Sequence, residues 1–414
     1  MFAAFAAVVG ALSGQPVQRS WGQWAAGGYA LAGLAAALWH RRGREAALVI
    51  ALTGAVAAPL AWQVRLGDRM PKVGDSSLTV VARAAVLLLH HGTPYLPADK
   101  ISHVGQYNPY EPAMAIFGLP AATGLHGAAG NPRLWMAITT AAVLGVAFRV
   151  VKSRGALRRT AFAFSSPVLA LPLATGLTDL PVLALISLTI AGTSASPWRQ
   201  VHPAAAIALG AACAIKATAW PVLPVIAAML AVRYGARAAI RFVVTAAGTA
   251  LALVVVTAPA SVTAPAAFFQ NTVLFPLGLT RYQTRAASPL PGHLLASAGP
   301  PGQWAAIGLL GAATLAIGVS LILRPPADMQ ASVWRLAAGL ALMFTVAPAS
   351  RWGYFGYPVA LLAFERMTRG QCDRPQPLRS VPAVIDRAVG PGLDVAQAAS
   401  DPAGWPRRSL APPV

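Results

Sequence analysis

Long apolar runs constrain this chain more than any other feature of its sequence. The run at 239–258, for example, has about the 20 apolar residues that a helix needs to cross a bilayer. Backbone groups that face lipid must form hydrogen bonds within the protein, so a crossing segment is either a helix or a strand of a closed barrel. The Ala, Val and Leu runs do not alternate as barrel strands do, and they therefore predict helices.

Composition and charge narrow the class of protein further. Hydrophobic residues make up 56% of the 414 residues and charged residues 11%, whereas a soluble domain carries about 25% charge. The net charge of +20 would suggest nucleic-acid binding in a soluble protein. Here many basic residues occupy short loops between apolar runs, as the positive-inside rule predicts, and we expect no nucleic-acid partner. Cys213 and Cys372 form neither a disulfide framework nor a metal motif.

The apolar runs predict an all-α polytopic membrane protein with about twelve transmembrane helices and extracytoplasmic interfacial helices. The block at 203–233 is interrupted at Lys216 and Pro221, so it forms either two short helices or one kinked span. The candidate spans are 2–14, 22–40, 46–62, 134–150, 158–175, 180–194, 203–215, 217–233, 239–258, 303–323, 331–349 and 352–367.

Basic loops predict the orientation. They share the cytoplasmic side only if the 203–233 block crosses the membrane twice, which leaves both termini in the cytoplasm. The segments 63–133, 259–302 and 350–358 then face outward from the plasma membrane. We expect residues 1–369 to form the membrane domain and the Pro- and Arg-rich residues 370–414 to be a disordered cytoplasmic tail.

The first outward segment contains an amphipathic helix preceded by an acid. Apolar residues recur at helical spacing from Leu78 to Leu89, over about four turns, which is too short to span a bilayer. Gly92 suits the end of this helix, and Asp75 stands just before its first turn. The carboxylate of Asp75 is either an N-cap or a catalytic base at the water–lipid boundary, and the two roles are compatible.

A second polar stretch follows in "YNPYEPAMAIFGLP", residues 107–120. An acid after the early spans, an amphipathic helix, "GTPY" at 92–95 and then this stretch together resemble the GT-C glycosyltransferases. The similarity covers most of 46–367 and is strongest to the bacterial integral-membrane mannosyltransferases that use polyprenol-phosphate sugars.

The resemblance implies a reaction and roles for particular residues. A hexose, mannose by analogy, would move with inversion from a polyprenyl phosphate to an extracytoplasmic glycolipid or glycan acceptor, with Asp75 as the base. An acceptor groove would be lined by Tyr95, Tyr107, Asn108, Tyr110 and Glu111. The absence of a D-x-D motif and of a Gly-rich phosphate loop agrees with a lipid-linked donor rather than a nucleotide sugar.

A lipid-phosphate donor requires cations at the outer end of the helices. Lys216 is a lysine between two apolar helices, and it either snorkels to the interface or contacts phosphate. Arg281, Arg285 and His293 lie in the second outward loop, where they are either solvated charges or phosphate ligands. Arg351 lies outward between two spans, against the positive-inside pattern, which favours function.

Asp179, at another outward turn, caps the helix that starts at Leu180 or pairs with a cation. The adjacent pair His90–His91 lacks metal-ligand spacing, so we expect no structural zinc and no required cofactor, although some GT-C relatives use a divalent cation.

Two other functions compete with a glycosyltransferase. One is a transporter or lipid flippase, for which the chain lacks paired broken spans. The other is an inactive paralogue that binds polyprenyl phosphate.

Overall fold

The structure is a computed structural model. It describes residues 1–38, 40–66, 77–152, 155–176, 178–195 and 203–369. The predicted base, Asp75, and the predicted tail at 370–414 lie outside these residues.

Most of the described residues lie in helices, and none of them forms a β-strand; Ala287 and Ser350 make an isolated parallel bridge. Short 3₁₀ helices cover Ala98–Lys100, Val104–Gln106, Pro112–Gly118, Ala217–Ala219 and Trp352–Phe355, and π-helical turns cover Thr53–Ala57 and Gln270–Leu274. The α-helices are Phe2–Leu12, Pro16–Leu38, His40–Leu52, Ala58–Leu66, Ser77–His91, Leu119–Ala122, Gly127–Gly130, Pro132–Val150, Ala156–Ser165, Pro167–Thr175, Asp179–Ser194, Pro203–Ile215, Val222–Tyr234, Ala236–Thr257, Pro259–Thr263, Pro265–Phe269, Pro291–Ala296, Pro300–Leu323, Met329–Val346 and Gly356–Thr368.

Six helical segments of the described residues are long and apolar enough to cross a membrane. The prediction of an all-α membrane protein is therefore confirmed, whereas the number of twelve spans is not. The six segments are Gly43–Arg65, Pro132–Val150, Ala217–Tyr234, Ala236–Thr257, Pro300–Leu323 and Met329–Val346.

The predicted span at 158–175 is instead two helices, and proline is the physical reason. Ser166 has an extended backbone, with ψ of 136°, because a residue that precedes proline avoids the α conformation. The chain therefore leaves one helix at Ser165 and starts the next at Pro167.

The 203–233 block is interrupted where the sequence predicted. Lys216 has an extended backbone, with φ of −157° and ψ of 138°, and it separates helix Pro203–Ile215 from Ala217–Ala219. The helices on either side, Pro203–Ile215 and Val222–Tyr234, both pack against Ala236–Thr257. This arrangement agrees with two short helices that turn back at Lys216.

Glycines allow the N-terminal helices to approach closely. A Cβ atom added to Gly28 would lie 2.6 Å from the Cα atom of Gly54, so the two helices touch backbone to backbone, as small residues permit in membranes. At this crossing the Trp21 indole donates a 2.8 Å hydrogen bond to the carbonyl of Ala55, which lies in the π-helical turn. The indole thus supports the turn that the Gly28–Gly54 contact requires.

Candidate functional site

The predicted amphipathic helix is confirmed as Ser77–His91, and it lies next to the predicted site. Gly92 ends it with φ of +65°, and its N–H donates to the carbonyl of Leu88 at 2.9 Å. The helix packs against the 3₁₀ segment Pro112–Gly118, where a Cβ on Gly118 would lie 2.5 Å from the carbonyl oxygen of Val81. This close packing holds the segment that directly follows residues Tyr107 to Glu111.

Asn108 and Asn271 join the first long connection to the second. The Asn108 N–H donates to the Asn271 carboxamide oxygen at 2.8 Å, and the Asn271 amide donates to the carbonyl of Leu96 at 3.1 Å. Asn271 is fully buried and Asn108 is 4% exposed. Beside them the rings of Tyr107 and Phe275 stack at 4.3 Å with a 5° angle between their planes. Residues of the predicted loops 63–133 and 259–302 are therefore in direct contact.

Tyr95 supports the same segment from another direction. Its phenol is 2% exposed and donates a 2.7 Å hydrogen bond to the carbonyl of Tyr110. Burial, and after it the Glu111 carboxylate, raise the pKa of this phenol well above its usual value. In this conformation Tyr95, Tyr107 and Asn108 therefore bind neighbouring protein groups.

The third predicted outward segment, 350–358, contacts the second through the isolated bridge. The Ser350 N–H donates to the carbonyl of Ala286 at 3.0 Å, and the Ser288 N–H donates to the carbonyl of Ser350 at 3.0 Å. Arg285 and Arg351 flank this bridge, and both side chains are exposed. The bridge thus brings together the two chain segments that carry these predicted phosphate ligands.

Arg281 and His293 lie in the same loop but in different environments. Arg281 is exposed, and its guanidinium lies 5.3 Å from the ring centre of Tyr282. The half-buried His293 places Nδ1 3.1 Å from the carbonyl oxygen of Pro348, so its imidazole contacts the chain two residues before the third segment. Only Nε2 of His293 is left for another partner.

Lys216 is the centre of a buried polar cluster. Its side chain is 8% exposed, and its ammonium forms an ion pair with the Asp179 carboxylate. The Tyr357 phenol donates to the same carboxylate at 2.8 Å and accepts from the Thr218 hydroxyl at 2.9 Å. The carboxylate charge is thereby neutralised, as a buried charge requires.

Two aromatic rings flank the Lys216 ammonium. Its Nζ lies 5.5 Å from the ring centre of Tyr110 and 5.3 Å from that of Tyr354, which are cation–π distances. The ammonium therefore joins three chain segments: the one before Glu111, the break at 216–219 and the connection that contains Arg351. In this conformation Asp179 occupies the position on Lys216 that a phosphate would need.

The two expectations for Asp179 have different outcomes. Thr178 is the N-cap of helix Asp179–Ser194, so the prediction that Asp179 caps this helix is wrong. The alternative, pairing with a cation, is confirmed by Lys216. The capping residue lies one position earlier because the helix already includes Asp179.

Glu111 also lies in this region, and among the described residues no cation lies beside its carboxylate. Its N–H donates to the carbonyl of Ile215 at 3.2 Å, which places it at the helix break next to Lys216. The side chain is half-buried, and within the described part of the chain its carboxylate makes no hydrogen bond and no ion pair. Burial raises the pKa of this carboxyl to about 7.

Metal-ligating side chains are dispersed in the described residues. No three of His, Cys, Asp and Glu lie close enough there to hold an ion. The rings of His90 and His91 are 6.5 Å apart and tilted by 58°, as neighbours on one helix are expected to be.

The sequence did not single out Thr218, Tyr354 and Tyr357 as site residues. The signal for the tyrosines was present in "SRWGYFGYP" at 350–358, where two tyrosines lie next to the unusual Arg351. Their separation from Lys216 along the chain hid the relationship, which depends on tertiary packing.

The fold and this polar end of the helices can be compared with known proteins. The profile of "Glycosyltransferase family 87" matches residues 108–348, a range that starts at Asn108 and includes Glu111, Asp179 and Lys216. No curated protein and no solved structure matches the chain.

The matched range covers more than half of the chain, so the protein is a membrane glycosyltransferase of the GT-C type. The chain belongs to glycosyltransferase family 87. The predicted resemblance to GT-C enzymes is thereby confirmed.

Proposed function

We propose that this glycosyltransferase moves a hexose, mannose in the simplest case, from a polyprenyl phosphate to a hydroxyl group of a glycolipid or glycan acceptor. The reaction would occur outside the plasma membrane, at the end of the molecule where the loops 63–133, 259–302 and 350–358 meet. The observation that supports this proposal best is that the second loop contacts the first through Asn108–Asn271 and the third through Ala287–Ser350. A lipid-linked donor agrees with the apolar helices that surround this end.

The transfer step requires one base and one set of cations. The acceptor oxygen attacks the anomeric carbon, the bond from that carbon to the phosphate oxygen breaks with its electron pair, and the acceptor proton passes to the base. Attack opposite the leaving group inverts the anomeric centre. Asp75 is the proposed base, because it directly precedes the amphipathic helix that supports the site. The departing phosphate is already a stable anion, so it needs cations rather than a general acid.

The exposed cations of the loops suit the phosphate. Arg285 and Arg351 flank the bridge, and Arg281 and His293 lie in the same loop; arginine can bind phosphate through two parallel hydrogen bonds. Lys216 contributes less directly, since Asp179 already neutralises it. We assign it the task of holding the segments that contain Glu111 and Arg351.

The proposal is tested by incubating the purified protein in detergent or nanodiscs with labelled polyprenyl-phosphate mannose and an extract of envelope glycolipids. Transfer of label to a glycolipid, identified by mass spectrometry, is the expected result. Polyprenyl-phosphate glucose in a parallel reaction tests the sugar. Movement of the intact donor across a vesicle membrane without transfer would support the rival function, a lipid flippase.

A further inference from the structure

We propose that Glu111 binds vicinal hydroxyl groups of a sugar through its ionised carboxylate and thereby determines how well the enzyme recognises that sugar. The inference deepens the proposed function and rests on it for the transfer reaction, but it makes a claim about binding that can be measured separately. It starts from a difference between Glu111 and Asp179.

Asp179 contacts Lys216 through its carboxylate and Glu111 contacts the neighbouring Ile215 through its backbone, but the two carboxylates have different partners. Asp179 accepts hydrogen bonds from Lys216 and Tyr357, and its charge is balanced. Glu111 is held at the same helix break by its backbone N–H, while its carboxylate is left without a hydrogen-bond partner or cation within the described residues. A partly buried carboxylate without partners is costly, which indicates that a ligand supplies them.

The surroundings of Glu111 indicate what kind of ligand this is. The carboxylate would repel the donor phosphate, for which the exposed Arg285 and Arg351 are available. An ionised carboxylate is an acceptor only, with two oxygens, so its natural partners are neutral donors such as sugar hydroxyls. The adjacent Tyr110 ring is buried against the Lys216 ammonium, and the Tyr95 phenol is occupied by the Tyr110 carbonyl. Sugar hydroxyls are therefore the partners that remain for the Glu111 carboxylate.

Titratable and charged groups surround Glu111 on the elements packed against its segment. Tyr95 keeps its proton, because burial and the Glu111 carboxylate raise its pKa. The Cys213 thiol of the neighbouring helix is buried and lies within electrostatic reach of Glu111. On the other elements packed against this segment, Arg83 donates to the carbonyl of Gly105 and Arg133 to that of Thr175.

Two further elements close to this segment carry charged groups. Lys216 is paired with Asp179, and the arginines of helix Ala236–Thr257, Arg237 and Arg241, lie in its first two turns. Helix Ala236–Thr257 leads from these arginines toward Ala258, which packs near Ala115 at the Glu111 end. These arginines are therefore far from the carboxylate.

Protonation of Glu111 would compete with the sugar. With a pKa of about 7, the carboxyl is mostly protonated at pH 6 and mostly ionised at pH 8. A sugar that binds only the ionised form should therefore have a KM about tenfold lower at pH 8 than at pH 6. If the protonated acid were the binding form, KM would instead be higher at pH 8 than at pH 6.

The first experiment measures KM for donor and acceptor separately at pH 6 and pH 8, with the other substrate saturating. The sugar whose KM shows the tenfold change identifies which substrate Glu111 binds. In Glu111→Gln this KM should rise by about tenfold to a hundredfold at pH 8, the worth of a hydrogen bond to a charged group, and should lose its pH dependence. Glu111→Asp, which keeps the charge, should retain the pH dependence with a higher KM.

The matched control is Asp99→Asn, which removes an exposed carboxylate from the same loop and should change neither KM nor its pH dependence. Unchanged KM values for both substrates in a folded Glu111→Gln protein would overturn the proposal. A fall in kcat alone would also overturn it, since that result would assign Glu111 to proton transfer.

The second experiment needs no transfer activity. Binding of methyl α-mannoside and methyl α-glucoside to the purified protein is followed by saturation-transfer NMR at pH 6 and pH 8. Binding that strengthens with pH in the wild type and in Asp99→Asn, but not in Glu111→Gln, supports the proposal even if the proposed donor is wrong. Binding that is equal in wild type and Glu111→Gln, or absent in both, would refute it.

Discussion

The Tyr357 phenol donates a 2.8 Å hydrogen bond to Asp179, a residue 178 positions earlier in the chain, and Asp179 also forms an ion pair with Lys216. The carboxylate is therefore shared between the start of one helix, the break after another and the last described helix. A buried charge with these partners is costly to leave unpaired, which leads to the first prediction.

Removal of one member of the buried pair should destabilise the protein more than removal of both. Lys216→Met leaves the Asp179 charge uncompensated and should lower the free energy of unfolding by about 3–5 kcal/mol. The double variant with Asp179→Leu should recover much of this loss, because two apolar side chains replace the pair. Thermal unfolding in detergent measures the difference. The control is Arg369→Met, which breaks an ion pair with Glu365 in which the arginine is 48% exposed, and it should cost less than about 1 kcal/mol.

Two neighbouring glycines of the second helix should differ sharply in their tolerance of a side chain. Gly28→Ala places a methyl group 2.6 Å from the Cα atom of Gly54, so the helices must separate and the protein should lose about 1–3 kcal/mol of stability. Gly27→Ala meets no atom within 4 Å and should be neutral or gain up to about 1 kcal/mol from helix propensity. Equal melting temperatures of the two variants would contradict the crossing.

The arginines that flank the bridge should contribute to donor affinity. Arg285→Ala and Arg351→Ala should each weaken binding of the polyprenyl-phosphate donor by about 1.5–3 kcal/mol, the range for hydrogen bonds to charged groups. The effect should appear in donor affinity and leave acceptor affinity nearly unchanged. The control is Arg158→Ala, which removes an exposed arginine in the first turn of helix Ala156–Ser165, on the predicted cytoplasmic side. Unaltered donor affinity in both bridge variants would remove them from the site.

The two roles of Asp75 lead to different outcomes. Asn is as good an N-cap as Asp, so Asp75→Asn should leave stability nearly unchanged under either role. If Asp75 is the base, turnover in the transfer assay should fall by roughly 10²–10⁴-fold. If it is only a cap, Asp75→Asn should remain active while Asp75→Ala should cost about 1 kcal/mol of stability. Near-normal transfer by Asp75→Asn would shift the role of base to another acid.

The orientation of the protein can be tested with single cysteines. Gln283→Cys lies on an exposed position of the predicted outward loop, and Arg158→Cys lies on an exposed position of the predicted cytoplasmic side. In intact cells an impermeant thiol reagent should label the former and leave the latter unlabelled until the membrane is opened. The reverse pattern would place the donor on the cytoplasmic side and contradict the proposed reaction.

The sequence predicted local features well because they depend on composition and spacing. Apolar periodicity predicts six of the long apolar helices and the helix Ser77–His91. Glycine and proline predict the end of that helix at Gly92 and the interruption near Lys216. The number of twelve spans is not confirmed: a run such as 158–175 has span-like composition but contains Pro167, which starts a separate helix. Composition does not reveal where the backbone turns within an apolar run.

The relationships within the site could not be predicted in the same way. The partner of Lys216 is 37 positions away and that of Asn108 is 163 positions away, and only tertiary packing selects them. The residue type of Tyr95 and Tyr107 suggested a sugar groove. In the structure Tyr95 contacts the Tyr110 carbonyl and Tyr107 stacks on the Phe275 ring.

The position of Tyr357 has a consequence for biosynthesis. Asp179 and Lys216 leave the ribosome long before Tyr357, so a nascent chain inserts most of its helices while this carboxylate still lacks its phenol partner and Lys216 still lacks the Tyr354 ring. The bridge to Ser350 and the cation Arg351 also arrive with this last segment. Synthesis proceeds from the N-terminus, so the end of the protein that we propose binds the donor is complete only after helix Gly356–Thr368 has been made. A truncated chain that ends before residue 350 would insert into the bilayer without being able to complete its own site.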